Sequence, residues 1–119
     1  MPVEIPILKM GATLIASIQE ELSDNDILDL QNRILNMVIK TRSQGVVIDV
    51  SALQVLDSFG TRTLIDISSA VKLRGARMVI VGIQPEVALS MVLLGLTLEG
   101  VPTACDLEAG TQLLDRLLK

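Results

Sequence analysis

Two apolar, β-rich runs open the chain, Val3 to Lys9 and Ala12 to Ile18, separated by Met10-Gly11. This pattern predicts a hairpin, and Pro6, which cannot donate to a ladder, marks the first run as an edge strand. From Ser23-Asp24-Asn25 the period changes. Ile27, Leu30, Ile34 and Val38 recur at helical spacing, Leu35 and Ile39 widen the stripe, and Gly45 is expected to end the helix. The run Val46-Val47-Ile48-Asp49-Val50 is apolar almost throughout instead of alternating, as a strand covered on both faces should be.

Ser51 to Leu56 reads as a loop leading into Asp57-Ser58-Phe59-Gly60 and a second helix, with Leu64, Ile67 and Val71 facing inward and Gly75 closing it. Met78 to Val81 is a second buried strand, and Pro85 suits the first position of a helix running to about Leu94. After Gly95 and Gly100, Thr103-Ala104-Cys105 is a short β-like piece. Asp106 can cap a last helix whose Leu107, Leu114, Leu117 and Leu118 are expected inside. The order ββαβαβα(β)α predicts an α/β fold, a small mixed β-sheet with helices mainly on one side. With no linker, charge block or repeat, residues 1–119 are expected to form one domain.

Composition narrows the chemistry. The chain has no His, Trp or Tyr, one Phe (Phe59) and one Cys (Cys105). It therefore has no imidazole base, no Ser-His-Asp or Cys-His arrangement, no His-ligated metal and no internal disulfide. A net charge of -4 and a single aromatic ring argue against nucleic-acid binding. Charged residues make up 20% and mean hydropathy is +0.55, so a lone monomer would be short of polar cover. A membrane does not explain this, because the longest charge-free stretch, Val87 to Leu98, falls short of the about 20 residues a span needs. Self-association or paralogue contact explains it better. With no signal-like start, the expected location is the cytoplasm.

Asp57-Ser58-Phe59-Gly60 is the sharpest candidate site. A serine in the first helical turn lies among free backbone N–H groups at the positive end of the helix dipole, where a phosphate on its hydroxyl would find donors. Beside Asp57 that phosphate would also change the local charge, which suits a switch. The simpler reading is that Asp57 or Ser58 is an ordinary N-cap. Gly60, unfavourable in a helix, suggests close approach of another backbone. Phe59 fits either a docking surface or core packing. Two other chemistries fail: Leu56 stands where a nucleophile elbow needs glycine, and Ile18-Gln19 and Cys105-Asp106 lack the acidic pair and lysine of a phospho-aspartate receiver built on Asp49 or Asp57. Cys105 reads as a buried filler, and no glycine-rich phosphate loop supports a cofactor site. Acids from Glu20 to Asp29 and bases from Arg62 to Arg77 form opposed patches, read either as solvated helix faces or as guides for assembly.

These residues resemble the STAS family (sulfate transporter and anti-sigma factor antagonist) along nearly the whole chain, through Val46 to Val50, the Asp57-Ser58 pair, Gly60 and Gly75. The segment Gly82-Ile83-Gln84-Pro85-Glu86-Val87-Ala88, then Leu94-Gly95 and Thr103 to Gly110, is similar to the stressosome branch. Sensor paralogues of that branch carry an extra N-terminal domain and usually threonine at the phosphorylation position. Ser58, with no such domain ahead of it, makes this chain resemble the stand-alone scaffold subunit. The resemblance implies phosphorylation of Ser58 by a switch serine kinase (RsbT-like) that the unmodified scaffold sequesters, with Asp57, Phe59 and Gly60 at the contact surface. It also implies resetting by a dedicated phosphatase and co-assembly with sensor paralogues (RsbR-like) in a large cytoplasmic complex. The alternative within the family is an anti-sigma factor antagonist, against which the bulky Phe59 argues. A small-molecule-binding or enzymatic α/β domain is the third class. Thr61 and Thr63, expected on the helix surface, are further candidate phosphoacceptors.

Overall fold

The computed structural model describes residues 4–119, so Val3, at the head of the first predicted strand, lies outside the described residues. β1 (Ile7–Met10) and β2 (Thr13–Ser17) form the antiparallel hairpin, turned at Gly11 with φ +59°. α1 (Asp24–Thr41), β3 (Gly45–Asp49), α2 (Ser58–Leu73), β4 (Arg77–Val81), α3 (Pro85–Leu93), β5 (Thr103–Ala104) and α4 (Leu107–Leu117) follow. The sheet order is β1-β2-β3-β4-β5, with every pair after the first parallel. β1 is an edge strand as expected, but it starts at Ile7, so Pro6 precedes it instead of lying within it, and Met10, expected in the turn, is its last residue.

Strands laid down in sequence order dictate where the helices go. Crossovers of one hand, each stepping in the same direction across the sheet, place their helices on the same face. α1, α2 and α3 accordingly share one core with Leu14, Ala16, Val46, Ile48, Met78 and Ile80. α4 follows the last strand and covers the other face, where Ile15, Val47, Val79 and Val81 meet Leu114. Alternate residues of β3 and β4 thus enter two different cores, which is why neither sequence alternates with polar positions.

Local signals set the helix ends. At α1, Ser23 Oγ accepts the Asp26 N–H while the Asp26 carboxylate accepts the Ser23 N–H, a reciprocal capping box. Gly75 and Ala76 close α2 by donating to the carbonyls of Lys72 and Val71, and Gly95 and Leu96 close α3 through Val92 and Met91. Both are Schellman closures, with the glycines at φ +84° and +72°.

Several expectations fail for identifiable reasons. α1 stops at Arg42, which takes the left-handed conformation itself (φ 54°). Gly45 instead opens β3, where an added Cβ would lie 3.0 Å from Leu114 Cδ1, so its smallness serves α4 packing. Ile39, Leu107 and Leu118 are exposed, because each helix buries a stripe narrower than its full set of apolar residues. Cys105 is also exposed: β5 ends at Ala104, and the chain is already turning toward the Asp106 cap.

Gly110 is buried in α4 and has no local sequence signal that marks it as a packing residue. An added Cβ there would collide with Val81 Cγ1, so its absence lets the helix sit directly on β4. Replacing Gly110 with alanine should destabilise the fold by about 1–3 kcal/mol through overpacking, despite alanine's better helix propensity. Urea denaturation measures this directly; a midpoint equal to or above that of the unmodified protein would count against the close contact.

Candidate functional site

The parallel ladder runs one residue beyond β3: the Val50 N–H donates to the Val81 carbonyl at 3.0 Å. The chain then leaves the sheet in a loop anchored from three directions. Within it, Asp49 Oδ1 accepts the Ser51 N–H at 2.9 Å. From the turn after β4, Gln84 Nε2 donates to the Ser51 carbonyl at 2.5 Å. From the segment before α1, Glu21 Oε1 accepts the Gln54 N–H at 3.0 Å. Gly82, at φ +81°, lets the β4 turn lie against Ser51, where an added Cβ would come within 2.8 Å of Ser51 Cβ. Leu53 and Leu56 are buried beneath the loop.

This fixed loop delivers Asp57 to the N-cap of α2. Its carboxylate Oδ1 accepts the Gly60 N–H at 2.7 Å and its carbonyl accepts the Thr61 N–H at 2.9 Å. Asp57, and not Ser58, is therefore the cap. Ser58 is the first helical residue, exposed, and its hydroxyl has no protein partner among the described residues. The N–H groups of Ser58 and Phe59 are the two helix-start donors that Asp57 leaves over.

Asp57, Phe59 and Gly60 come together beside Ser58 in a cavity of about 70 Å³ whose wall also carries Glu21 and Asp24. Phe59 lines the cavity and is 38% exposed. Gly60 is approached by side chains and not by another backbone: an added Cβ would be 3.2 Å from both Asp57 Oδ1 and Leu56 Cδ1. A larger residue would crowd the carboxylate that caps the helix. Thr61 and Thr63, expected on the surface, are buried. Thr63 Oγ1 donates to the Phe59 carbonyl at 2.8 Å, and both point inward because Leu64 and Ile67 orient α2 onto the sheet. Ser58 is thus the accessible hydroxyl in the first two turns.

The sequence did not disclose the anchoring of the loop by Gln84 and Glu21. Gln84 stood within a recognisable segment, but its bond spans 33 positions and has no local signature. Among the described residues no group of three or more His, Cys, Asp or Glu side chains could hold a metal ion, and no helix is long and apolar enough to cross a membrane.

The STAS domain family model matches residues 4–107, and the chain belongs to that family. Within it, the chain is similar to RsbS of Moorella thermoacetica, solved as its S58E variant: 37% identity, TM-score 0.81, covering 97% of each chain. A chain in a structure of the stressosome, described as a signal integration and transduction hub, is 35% identical with a TM-score of 0.75, covering 96% of this chain and 99% of that one. The RsbT co-antagonist protein RsbRA of Bacillus subtilis (strain 168) is 40% identical over 83 residues, 70% of this chain but 30% of RsbRA. This chain thus spans under a third of that relative.

Removing the cap carboxylate with Asp57→Ala should cost about 1 kcal/mol of stability. Gln84→Ala should leave global stability nearly unchanged while speeding amide exchange across residues 51–57. Exchange that is unaltered there would show that the Gln84 bond does not hold the loop.

Proposed function

We propose that this protein is a stressosome scaffold and kinase antagonist, sequestering a switch serine kinase of the RsbT type until Ser58 is phosphorylated. The observation that carries the reading is the placement of Ser58: an exposed, unpartnered hydroxyl at the start of α2, on a loop pinned at both ends, with two free N–H donors beside it. The likeness to RsbS, 37% identical over 97% of the chain with a TM-score of 0.81, supports it. The co-antagonist description of RsbRA supports an RsbR-like sensor as the assembly partner. In this reading residues 1–119 act as one STAS unit in the cytoplasm, where ATP and the kinase are found.

The chemistry belongs to the partner. Ser58 Oγ attacks the γ-phosphorus of ATP held by the kinase, the bond to the β-bridging oxygen breaks, ADP leaves, and the hydroxyl proton passes to the kinase's base. The new group carries about -1.5 to -2 charges at neutral pH. It stands beside Asp57 and close to the cavity bearing Glu21 and Asp24, so the surface presented to the kinase changes charge without any change of fold. The spare N–H donors of Ser58 and Phe59 and the helix dipole stabilise the phosphate. The freed kinase then activates a downstream signalling enzyme, and a dedicated phosphatase returns Ser58 to the hydroxyl by hydrolysis.

Incubation with ATP and the serine kinase encoded nearest to this protein should place one phosphate on Ser58, located by peptide mapping. Ser58→Ala should abolish the signal. Modification elsewhere, or none, would overturn the assignment. Ser58→Asp should release the kinase only partly, because one carboxylate brings less charge and fewer acceptors than a phosphate. Full release by the aspartate variant in a kinase pull-down would remove the role given to the helix terminus.

A further inference from the structure

One hydroxyl of α2 is buried without a partner. Thr61 is 3% exposed, and its Oγ1 is the single buried side-chain nitrogen or oxygen among the described residues that makes no hydrogen bond. A buried polar group left in this state has given up its hydration for nothing, and such groups are nearly always paired in folded proteins. The neighbouring threonine shows the usual remedy: Thr63 Oγ1 donates to the Phe59 carbonyl one turn back, at 2.8 Å. The corresponding carbonyl for Thr61 is that of Asp57, which accepts the Thr61 N–H at 2.9 Å but receives nothing from the hydroxyl. Valine would fill the same volume with no polar atom to satisfy, so the hydroxyl calls for another reason.

Its place relative to Ser58 supplies one. Residues three apart in a helix lie on the same face, with Cβ atoms about 5–6 Å from each other. Helical side chains also lean toward the N-terminus, so that of Thr61 leans toward the turn that begins with Ser58. A phosphate would extend the serine side chain by a phosphorus and its oxygens, all of them strong acceptors. The N–H groups of Ser58 and Phe59, which the Asp57 cap leaves over, meet part of that capacity. The Thr61 hydroxyl is a further donor on this face, and it has no competing acceptor. Arg62, one turn beyond Ser58, is exposed and makes no ion pair among the described residues, so it offers the phosphate a positive charge from the solvent side.

We propose that Thr61 is a latent phosphate ligand: its hydroxyl, unpaired while Ser58 is unmodified, donates to the phosphate once Ser58 is phosphorylated. The inference rests on the reading of Ser58 as the phosphoacceptor. Thr61 is then a positioning residue. Its bond draws the phosphate down against α2 in one orientation, where an exposed serine side chain would otherwise let it swing. The unmodified chain carries the unsatisfied hydroxyl and the phosphorylated chain does not, so the same residue that weakens the first state stabilises the second.

Phosphoserine installed at position 58 of the full chain during translation tests this without any kinase. In the unmodified protein Thr61→Val, which keeps the shape and removes the orphan hydroxyl, should leave the melting temperature unchanged or raise it. In the phosphorylated protein the same substitution should lower it. A phosphorus NMR titration should place the second ionisation of the phosphate at higher pH in the Thr61→Val phosphoprotein than in its parent, because a donor to the charged form is lost, and Thr61→Ser should restore the parent value. That difference should persist in high salt, whereas the one produced by Arg62→Gln should shrink as the exposed charge is screened. A titration identical in the parent and Thr61→Val, or a stability change of the same sign and size with and without the phosphate, would overturn the proposal. Failure of the kinase to modify Ser58 is read in the separate transfer assay and would overturn the phosphoacceptor reading instead.

Discussion

Everything that positions Ser58 depends on the parallel pairing of β3 with β4. The two strands are buried on both faces, and their ladder continues through the Val50 N–H to the Val81 carbonyl. That last bond brings the chain leaving β3 alongside the chain leaving β4, so Ser51 meets Gly82 and Gln84. The C-terminal end of a parallel sheet gathers loops and helix starts from distant parts of the chain, a general property of such sheets that favours sites there. Here it yields a serine that is exposed while its supporting loop is held.

The separation of roles along α2 follows from helix geometry. Asp57 satisfies the Gly60 N–H and so removes one donor from the helix start, leaving those of Ser58 and Phe59 without an intrahelical partner. One turn later, Thr61 and Thr63 rotate toward the sheet and are withdrawn from solvent. The reading of Asp57 as a cap and the reading of Ser58 as a phosphoacceptor are therefore compatible, because adjacent residues perform the two tasks. Gly60 is small because the cap carboxylate and Leu56 occupy the volume a side chain would need.

The surface carries a second kind of information. Acids gather at helix starts and bases near helix ends, an arrangement that complements the helix dipoles and also polarises the whole molecule. Against that pattern α3 turns Leu89, Val92 and Leu93 outward, with no charged residue from Val87 to Leu98.

The element order, the two-sided burial of β3 and β4, a helix start within Ser23-Asp24-Asn25 and another at Asp57-Ser58, the cap at Asp106, the start of α3 at Pro85 and the prominence of Ser58 are legible in the linear sequence. All of these rest on interactions within a few residues, or on a periodicity that water imposes directly. Long-range contacts settle the rest: α4 lies alone on its face, Gly45 and Gly110 make room for packing, Cys105 is exposed while Thr61 and Thr63 are not, and Gln84 and Glu21 hold the loop before Ser58. Each of these depends on which residue arrives from far along the chain. A linear pattern records that a side chain is apolar, small or polar, but the neighbour that gives it a role is chosen by the crossing of strands and helices.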